Sequence, residues 1–326
     1  MTTSPQTATP EQRDHGGGLD AARERWGGSR DSWLDLSTGI NPVPYTMPHI
    51  LMDDWARLPD KAAQNGLLKA ARSFWKVPDG AAILAAPGAS ALIARIPSLL
   101  DQGTVQIETP TYNEHAAAFT AQGWQLGTEA PNAQVVVHPN NPTGRLWSVD
   151  DLTAPFAVID ESFCDVTPDW SMIRLADQPG RIVLKSFGKF WGLAGVRLGF
   201  AIGVPELIAR LADLTGPWAV SGPALTIGTS ALLETGWALE TRERLRKDSA
   251  RLDQMMQMAG ANLSGGTSLF RLYEVDDAAK WQNHLARSHI WTRIFPYSKT
   301  YLRLGLPAPH RWDQVEHALR MTEHEF

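Results

Sequence analysis

A chain of 326 residues, 43% hydrophobic and 20% charged with a net charge of −5, has the makeup of a globular protein with room for a large core and a smaller second unit. The slight acidity argues against nucleic acid or an anionic membrane as the main partner, and no apolar run is long enough to span a bilayer. A single cysteine, Cys164, excludes an intramolecular disulfide and a cysteine-based zinc site and suits the reducing cytoplasm.

In chain order, the opening MTTSPQTATPEQRD is polar and lacks an apolar core, so a disordered tail is expected there and not a signal peptide. Residues 1–45 read as this tail followed by an arm that packs against the small domain and the active site. From residue 81 short apolar runs alternate with longer amphipathic stretches. The runs are AAILAA (81–86), VQIE (105–108), QVVVH (134–138), FAVID (156–160), RIVLK (181–185) and GFAIGV (199–204). Several lack polar alternation, as expected of strands covered on both faces. Helical patterns start at Ser90 and at Asn113. This βαβ texture predicts an α/β large domain over 46–215, with a mostly parallel sheet and helices on both faces. Such sheets bind ligands beyond the carboxyl ends of their strands.

After about residue 215 the texture changes. A charge-rich helical region from Ala231 to Ala259 precedes two strand-like runs, SLFRLYEV and YLRLGL, and a small α+β domain over 216–326 is predicted. With Phe163 and Val166 beside it, Cys164 is expected to be an inert, partly buried thiol. The nine histidines show no metal-ligand spacing, so no metal site is expected.

Four polar segments follow four of the predicted strands. PGAS (87–90) opens a helix, whose free N–H groups suit an anion. PNNPTG (139–144) offers the Asn141 amide. Asp160 and Glu161 end a buried apolar strand, where a carboxylate needs a cationic or protonated partner. Lys189 follows RIVLK, with Ser186 three residues before it and Arg197 eight after. Each alone has a plain explanation as a turn, a solvated edge or a surface lysine. Together they supply an amine, a phosphate cradle, a carboxylate and an amide, the inventory that pyridoxal 5′-phosphate requires.

NNPTG, IDES, S-x-x-K and the following R-L-G resemble the fold-type I pyridoxal-phosphate enzymes of the class I/II aminotransferase group, over roughly His15 to Gly305. The resemblance implies that Lys189 is the Schiff-base lysine and Asp160 the partner of the pyridinium nitrogen. It implies that Asn141 donates to the phenolic oxygen and that Tyr112 stacks on the ring. Ser186, Arg197 and the backbone of Ala89 and Ser90 would hold the phosphate, and Arg303 in YLRLGL would grip the substrate carboxylate. An arginine inside an apolar strand is costly without an anion, which gives the last assignment independent sense.

The segments HGGGLDAARERWG (15–27) and LDLSTGINP (34–42) resemble a branch of that group, the threonine-phosphate decarboxylases, close to histidinol-phosphate aminotransferases. Phe163 agrees, because aminotransferases usually carry a tyrosine there. The branch implies a small phosphorylated amino acid as substrate and a homodimer as the working state. Expected substrate contacts are His15, Gly39, Asn41, Asn141, Arg293 and Arg303, with His15 and Arg293 as candidates for the substrate phosphate. Leu58-Pro59-Asp60 stands where the aminotransferases have a Tyr-Pro-Asp-like segment reaching the neighbouring subunit's cofactor phosphate, so that contact is expected to be lost. The competing readings are an aminotransferase for histidinol phosphate, a non-catalytic pyridoxal-phosphate regulator, and a nucleotide-binding Rossmann protein. No G-x-G-x-x-G follows the first strand, which counts against the last.

Overall fold

The computed structural model describes residues 15–320, and the tail expected ahead of His15 lies outside them. Helix α1 (Leu19–Trp26), strand β1 (Leu34–Asp35) and helices α2 (Met52–Ala56) and α3 (Lys61–Trp75) come first. Asp60 caps α3, its Oδ1 accepting the Ala63 N–H at 2.8 Å, which satisfies one of the donors a helix start leaves open. Then come β2 (Ala82–Ala86), α4 (Ala89–Ile93), β3 (Thr104–Ile107), α5 (Asn113–Ala121), β4 (Gln125–Leu126), β5 (Ala133–Val137), β6 (Phe156–Asp160), β7 (Arg181–Ser186) and β8 (Gly199–Gly203). The helical pattern from Ser90 is broken after Ile93, and a 3₁₀ turn at Ile96–Leu99 with Pro97 inside it replaces the last part, since proline cannot continue the α-helical ladder.

These strands make one seven-stranded sheet in the order β2-β8-β7-β6-β5-β3-β4. Neighbours from β4 to β7 run parallel, while β8 is antiparallel to both β7 and β2. Between Ser186 and Gly199 there is only a short 3₁₀ turn at Ala194–Val196, too little chain for a parallel crossover with a helix. Side chains alternate between the two faces as the pleat demands. Val136, Ile159, Val183 and Phe200 pack with α3 residues Leu67, Ala70 and Ala71. Val135, Val158, Leu184 and Ala201 pack on the other face with Leu92, Phe119 and Leu211. Burying each such valine, leucine or phenylalanine contributes about 1.5–3 kcal/mol, so the middle strands are held firmly and their ends form a rigid rim.

Helix α6 (Pro205–Thr215) covers the second face and leads to α7 (Gly222–Leu233) and α8 (Thr235–Met258). The charge-rich region predicted as one helix is thus divided at Glu234. Strands β9 (Asn262–Thr267) and β10 (Phe270–Glu274), helix α9 (Ala278–Arg287), strands β11 (Ile290–Trp291), β12 (Arg293–Phe295) and β13 (Ser298–Gly305), and α10 (Trp312–Arg320) follow. They include a four-stranded sheet ordered β12-β13-β10-β9, antiparallel throughout, where the sequence predicted two strands. The arm is bound to this part of the chain: β1 pairs with β11, and the Gly305 N–H donates to the Leu36 carbonyl at 2.7 Å. Among the described residues no helix is long and apolar enough to cross a membrane.

Candidate active site

The carboxyl ends of β5, β6 and β7 and the start of α4 surround a cavity of about 120 Å³. Asn141, Asp160, Ser186 and Lys189 reach it from those strand ends, and Ala89, Ser90, Tyr112 and Arg197 close it from the helix side. All eight cofactor candidates read from the sequence therefore line one cavity.

Asp160 is 2% exposed. Burial alone would raise its carboxyl, but hydrogen bonds outweigh it: His115 Nε2 lies 2.8 Å from Oδ2, and Ser162 donates its hydroxyl at 2.6 Å and its N–H at 3.0 Å to Oδ1. The carboxyl is consequently held below its ordinary value. Lys189 is lowered as well, which for an amine favours the neutral form. Burial, then the nearby Arg303 and Arg197 guanidinium groups, bring its amine down to about 8 against the pull of Asp160. Tyr112 stays a neutral phenol, raised by burial and by Glu114 and Asp160.

The far end of the cavity suits an anion. Gly88 has φ 87°, and a Cβ there would meet Arg197 Nη2 at 2.5 Å, so only glycine lets the guanidinium lie against the turn. Gly199 does the same from β8, where a Cβ would stand 2.4 Å from the Ala89 nitrogen. Ser90 and Ser186 add hydroxyls beside the first N–H groups of α4, which have no partner inside the helix.

Tyr112 and Asn141 also line a second cavity of about 300 Å³ together with Arg293, Phe295, Tyr297 and Arg303. Arg293 on β12 and Arg303 on β13 are direct cross-strand partners. Their side chains share a face, where two like charges repel. Arg303, 4% exposed, donates to Asn141 Oδ1 and to the Ser37 carbonyl, the latter at 2.6 Å. Three expected substrate residues sit elsewhere, lining neither cavity. His15 pairs with Glu114 at 2.8 Å, its ring 6.2 Å from that of Tyr112. Gly39 lies where a Cβ would meet Phe163 and Phe270 at 2.9 Å. Asn41 faces the Lys189 turn, its carboxamide donating to the Phe190 carbonyl and accepting from Val43 and Arg244.

The description "Aminotransferase class I and II" matches residues 43–321. The chain belongs to the class I and II aminotransferase family. Within it, the chain is 40% identical to a threonine-phosphate decarboxylase of a Sinorhizobium species, covering 90% of this chain and 92% of that one. It is 38% identical to a threonine-phosphate decarboxylase of Pseudomonas aeruginosa, over 94% and 97% of the two. A crystal structure of histidinol-phosphate aminotransferase from Sinorhizobium meliloti in complex with pyridoxal 5′-phosphate superposes with a TM-score of 0.82 at 16% identity, covering 98% of each chain.

The family cofactor, pyridoxal 5′-phosphate, fits these side chains. An amine with its pKa brought to about 8 is deprotonated often enough near neutral pH to bond covalently to an aldehyde. Asp160, kept anionic, suits a protonated pyridine nitrogen. The glycine-lined turn with Arg197, Ser90 and Ser186 suits a phosphate.

Some neighbours of this site, or their bonding partners, were not named from sequence. His115 lies three residues past Tyr112 on the first turn of α5, a spacing that puts both on one side of the helix, yet its partner Asp160 is 45 residues away. Glu161 is tied to the buried Lys185 at 2.5 Å, with Asp165 at 3.8 Å from the same amine; the sequence required a partner for a carboxylate there without naming it. Cys164 is fully buried and its thiol is pushed up by burial. It lies with His138 and Glu161, their candidate ligand atoms within 4.8 Å of one another. Those groups are already engaged: His138 Nδ1 accepts the Trp147 N–H, its Nε2 bonds the Trp170 carbonyl, and Glu161 takes Lys185, Ser171 and the Met172 N–H.

Proposed function

We propose that this protein decarboxylates L-threonine O-3-phosphate to (R)-1-aminopropan-2-ol phosphate, with pyridoxal 5′-phosphate, as a step of cobalamin biosynthesis. The observation that carries the reading is the cross-strand pair Arg293 and Arg303 on the wall of the larger cavity. Both guanidinium groups line that cavity, and threonine phosphate brings a carboxylate and a phosphate on one small skeleton that such donors can hold. The names of the relatives at 40% and 38% identity support the same substrate.

When bound, the cofactor draws the electron pair released at Cα into its ring. Lys189 would hold the cofactor and be displaced by the substrate amine. Asp160, oriented by His115 and Ser162, would keep the opposite end of the ring protonated. Arg303 would take the substrate carboxylate and Arg293 the phosphate, and gripping both ends fixes the torsion about the N–Cα bond. Binding energy from the remote phosphate is then used to align the bond that breaks. The Cα–carboxylate bond would break, CO₂ leaving without the bonding pair, and the protonated Lys189 amine or a water would deliver a proton to Cα. In this reading residues 46–215 carry the cofactor, while the arm and residues 216–326 close over the substrate.

The working state in this reading is a cytoplasmic homodimer. Leu51, Met52, Trp55 and Leu58 are each more than half exposed along one short stretch around α2. Contiguous apolar surface of this kind suits a partner surface. The test of function is incubation with threonine phosphate without a keto acid, following CO₂ and the amino product by mass spectrometry. Catalytic CO₂ release supports the reading. Consumption of added 2-oxoglutarate with no CO₂ would replace it with an aminotransferase.

A further inference from the structure

The resemblance implies that Gly39 and Asn41 of STGINP contact substrate, and in the structure the Asn41 side chain bonds to the protein itself. Asn41 is 2% exposed. Its backbone N–H donates to the Lys189 carbonyl at 3.0 Å and its Nδ2 to the Phe190 carbonyl at 2.9 Å. Its Oδ1 accepts the Val43 N–H at 3.0 Å and Arg244 Nη2 at 2.6 Å. Arg244 is itself held on α8 by Asp248, one helical turn on, at 3.1 Å. The neighbouring contacts run the same way: the Tyr45 N–H donates to the Trp191 carbonyl at 2.9 Å, and a Cβ on Gly192 would strike Pro44 at 2.7 Å. Residues 41–45 thus lie along the Lys189 turn, with both ends of the Asn41 carboxamide engaged by the protein itself.

At the other end of this strap the Ser37 carbonyl accepts Arg303 Nη2. One short stretch of backbone therefore fastens both the guanidinium facing the second cavity and the turn that carries the lysine. We propose that Asn41 is a positioning residue for Lys189, with Arg244 as its anchor, so that the strap from Ser37 to Asn41 sets the distance between the substrate-gripping arginine and the proton-delivering amine. This inference rests on the reading of Lys189 as the cofactor lysine. A side chain that both carries the cofactor and returns a proton to Cα must recover one position in every turnover. The two carbonyls that follow its Cα are the groups Asn41 holds. A displacement of about 1 Å at such a group costs on the order of a hundredfold in rate. The charged groups facing the amine are Asp160 from β6, Arg197 from the segment before β8 and Arg303 from β13. None is on the strap, so a shift of the turn changes the distance to all three at once.

The experiment compares Asn41→Asp and Arg244→Met with the wild-type holoenzyme. Asn41→Asp keeps the shape and the acceptor toward Val43 and Arg244 but loses the donor to Phe190. Arg244→Met leaves that donor and removes the anchor from a half-buried site, so it reports even if the buried substitution fails to fold. Two quantities are read: kcat and KM for threonine phosphate, and the pH titration of the visible band of the lysine-bound cofactor without substrate. Asn41→Asp is expected to lower kcat by about 10–100-fold with KM changed less than about threefold. Its titration midpoint is expected to move by more than about half a pH unit, with Arg244→Met changing both quantities in the same direction by less. A raised KM with kcat and midpoint unchanged would overturn the inference and return Asn41 to the substrate. Unchanged kinetics and midpoint with only a lower Tm would overturn it in favour of a purely structural residue. A wild-type protein that shows no lysine-bound band would instead remove the reading of Lys189 on which the inference stands.

Discussion

His115 Nε2 lies 2.8 Å from Asp160 Oδ2, both side chains almost wholly buried. This bond, with those from Ser162, keeps the carboxyl below its ordinary value despite burial. The stability it contributes is fully present above the ordinary aspartate range and is lost only as pH falls through the lower folded value. His115→Leu removes a leading favourable partner and leaves the burial, so the carboxyl rises. The acid limb of activity should then lie at a higher pH than in wild type, with activity falling about tenfold for each pH unit below the new midpoint. A pH series of kcat decides it, and an unmoved acid limb would separate His115 from Asp160.

Lys189 yields a spectroscopic and a thermodynamic expectation. The loaded protein should be yellow, borohydride should bleach the band while fixing the cofactor to Lys189, and Lys189→Ala should abolish turnover. In the cofactor-free protein the amine titrates at about 8 instead of 10.5. Below about 8 it is charged folded and unfolded, and the folded state carries the cost of burying it. As pH rises from about 8 toward 10.5 the unfolded chain binds the extra proton, so stability rises. Lys189→Met should stabilise the cofactor-free protein near neutral pH, by up to about 3 kcal/mol, and progressively less in alkali. Denaturation curves at neutral and alkaline pH measure this; equal gains at both would contradict it.

Much of the sheet was legible because its strands are buried on both faces, and runs such as FAVID have no polar alternation to obscure them. The strand ends were legible for the related reason that Asp160, Ser186 and Lys189 are polar groups placed where the chain leaves the core. Short elements on open edges were not: β12 has three residues. Helix α3, fifteen residues long and packed on the central sheet, was not singled out either. Asn41 shows the deeper limit. An asparagine in a turn has several directions in which to bond, and only the folded chain shows that the Lys189 turn and Arg244 take them. His115, on α5, was hidden because its meaning depends on an aspartate far along the chain, at the end of β6.

The exposed row Leu51, Met52, Trp55 and Leu58 leads to an expectation about assembly. If this face meets a second copy, the protein is a dimer by light scattering at working concentration. Trp55→Glu combined with Leu58→Glu should give a monomer with unchanged circular dichroism, because neither side chain supports the core and buried charges oppose association. A wild-type monomer with full activity would show that the face is not a dimer surface.

Arg293 and Arg303 allow the substrate to be tested one anion at a time. Both arginines line the larger cavity, and each charge-assisted bond to a ligand contributes about 1.5–3 kcal/mol. Arg293→Ala should therefore lower kcat/KM for threonine phosphate by about 10–100-fold, while turnover of threonine, already slow without its phosphate, should barely change. Arg293→Lys keeps the charge without the two-pronged geometry and should recover part of the loss. Arg303→Ala should penalise both substrates alike, because both carry the carboxylate. Parallel kinetics on the two amino acids read the difference directly. Equal losses on both from Arg293→Ala would take Arg293 away from the phosphate and leave the second anion without an assigned partner on β12.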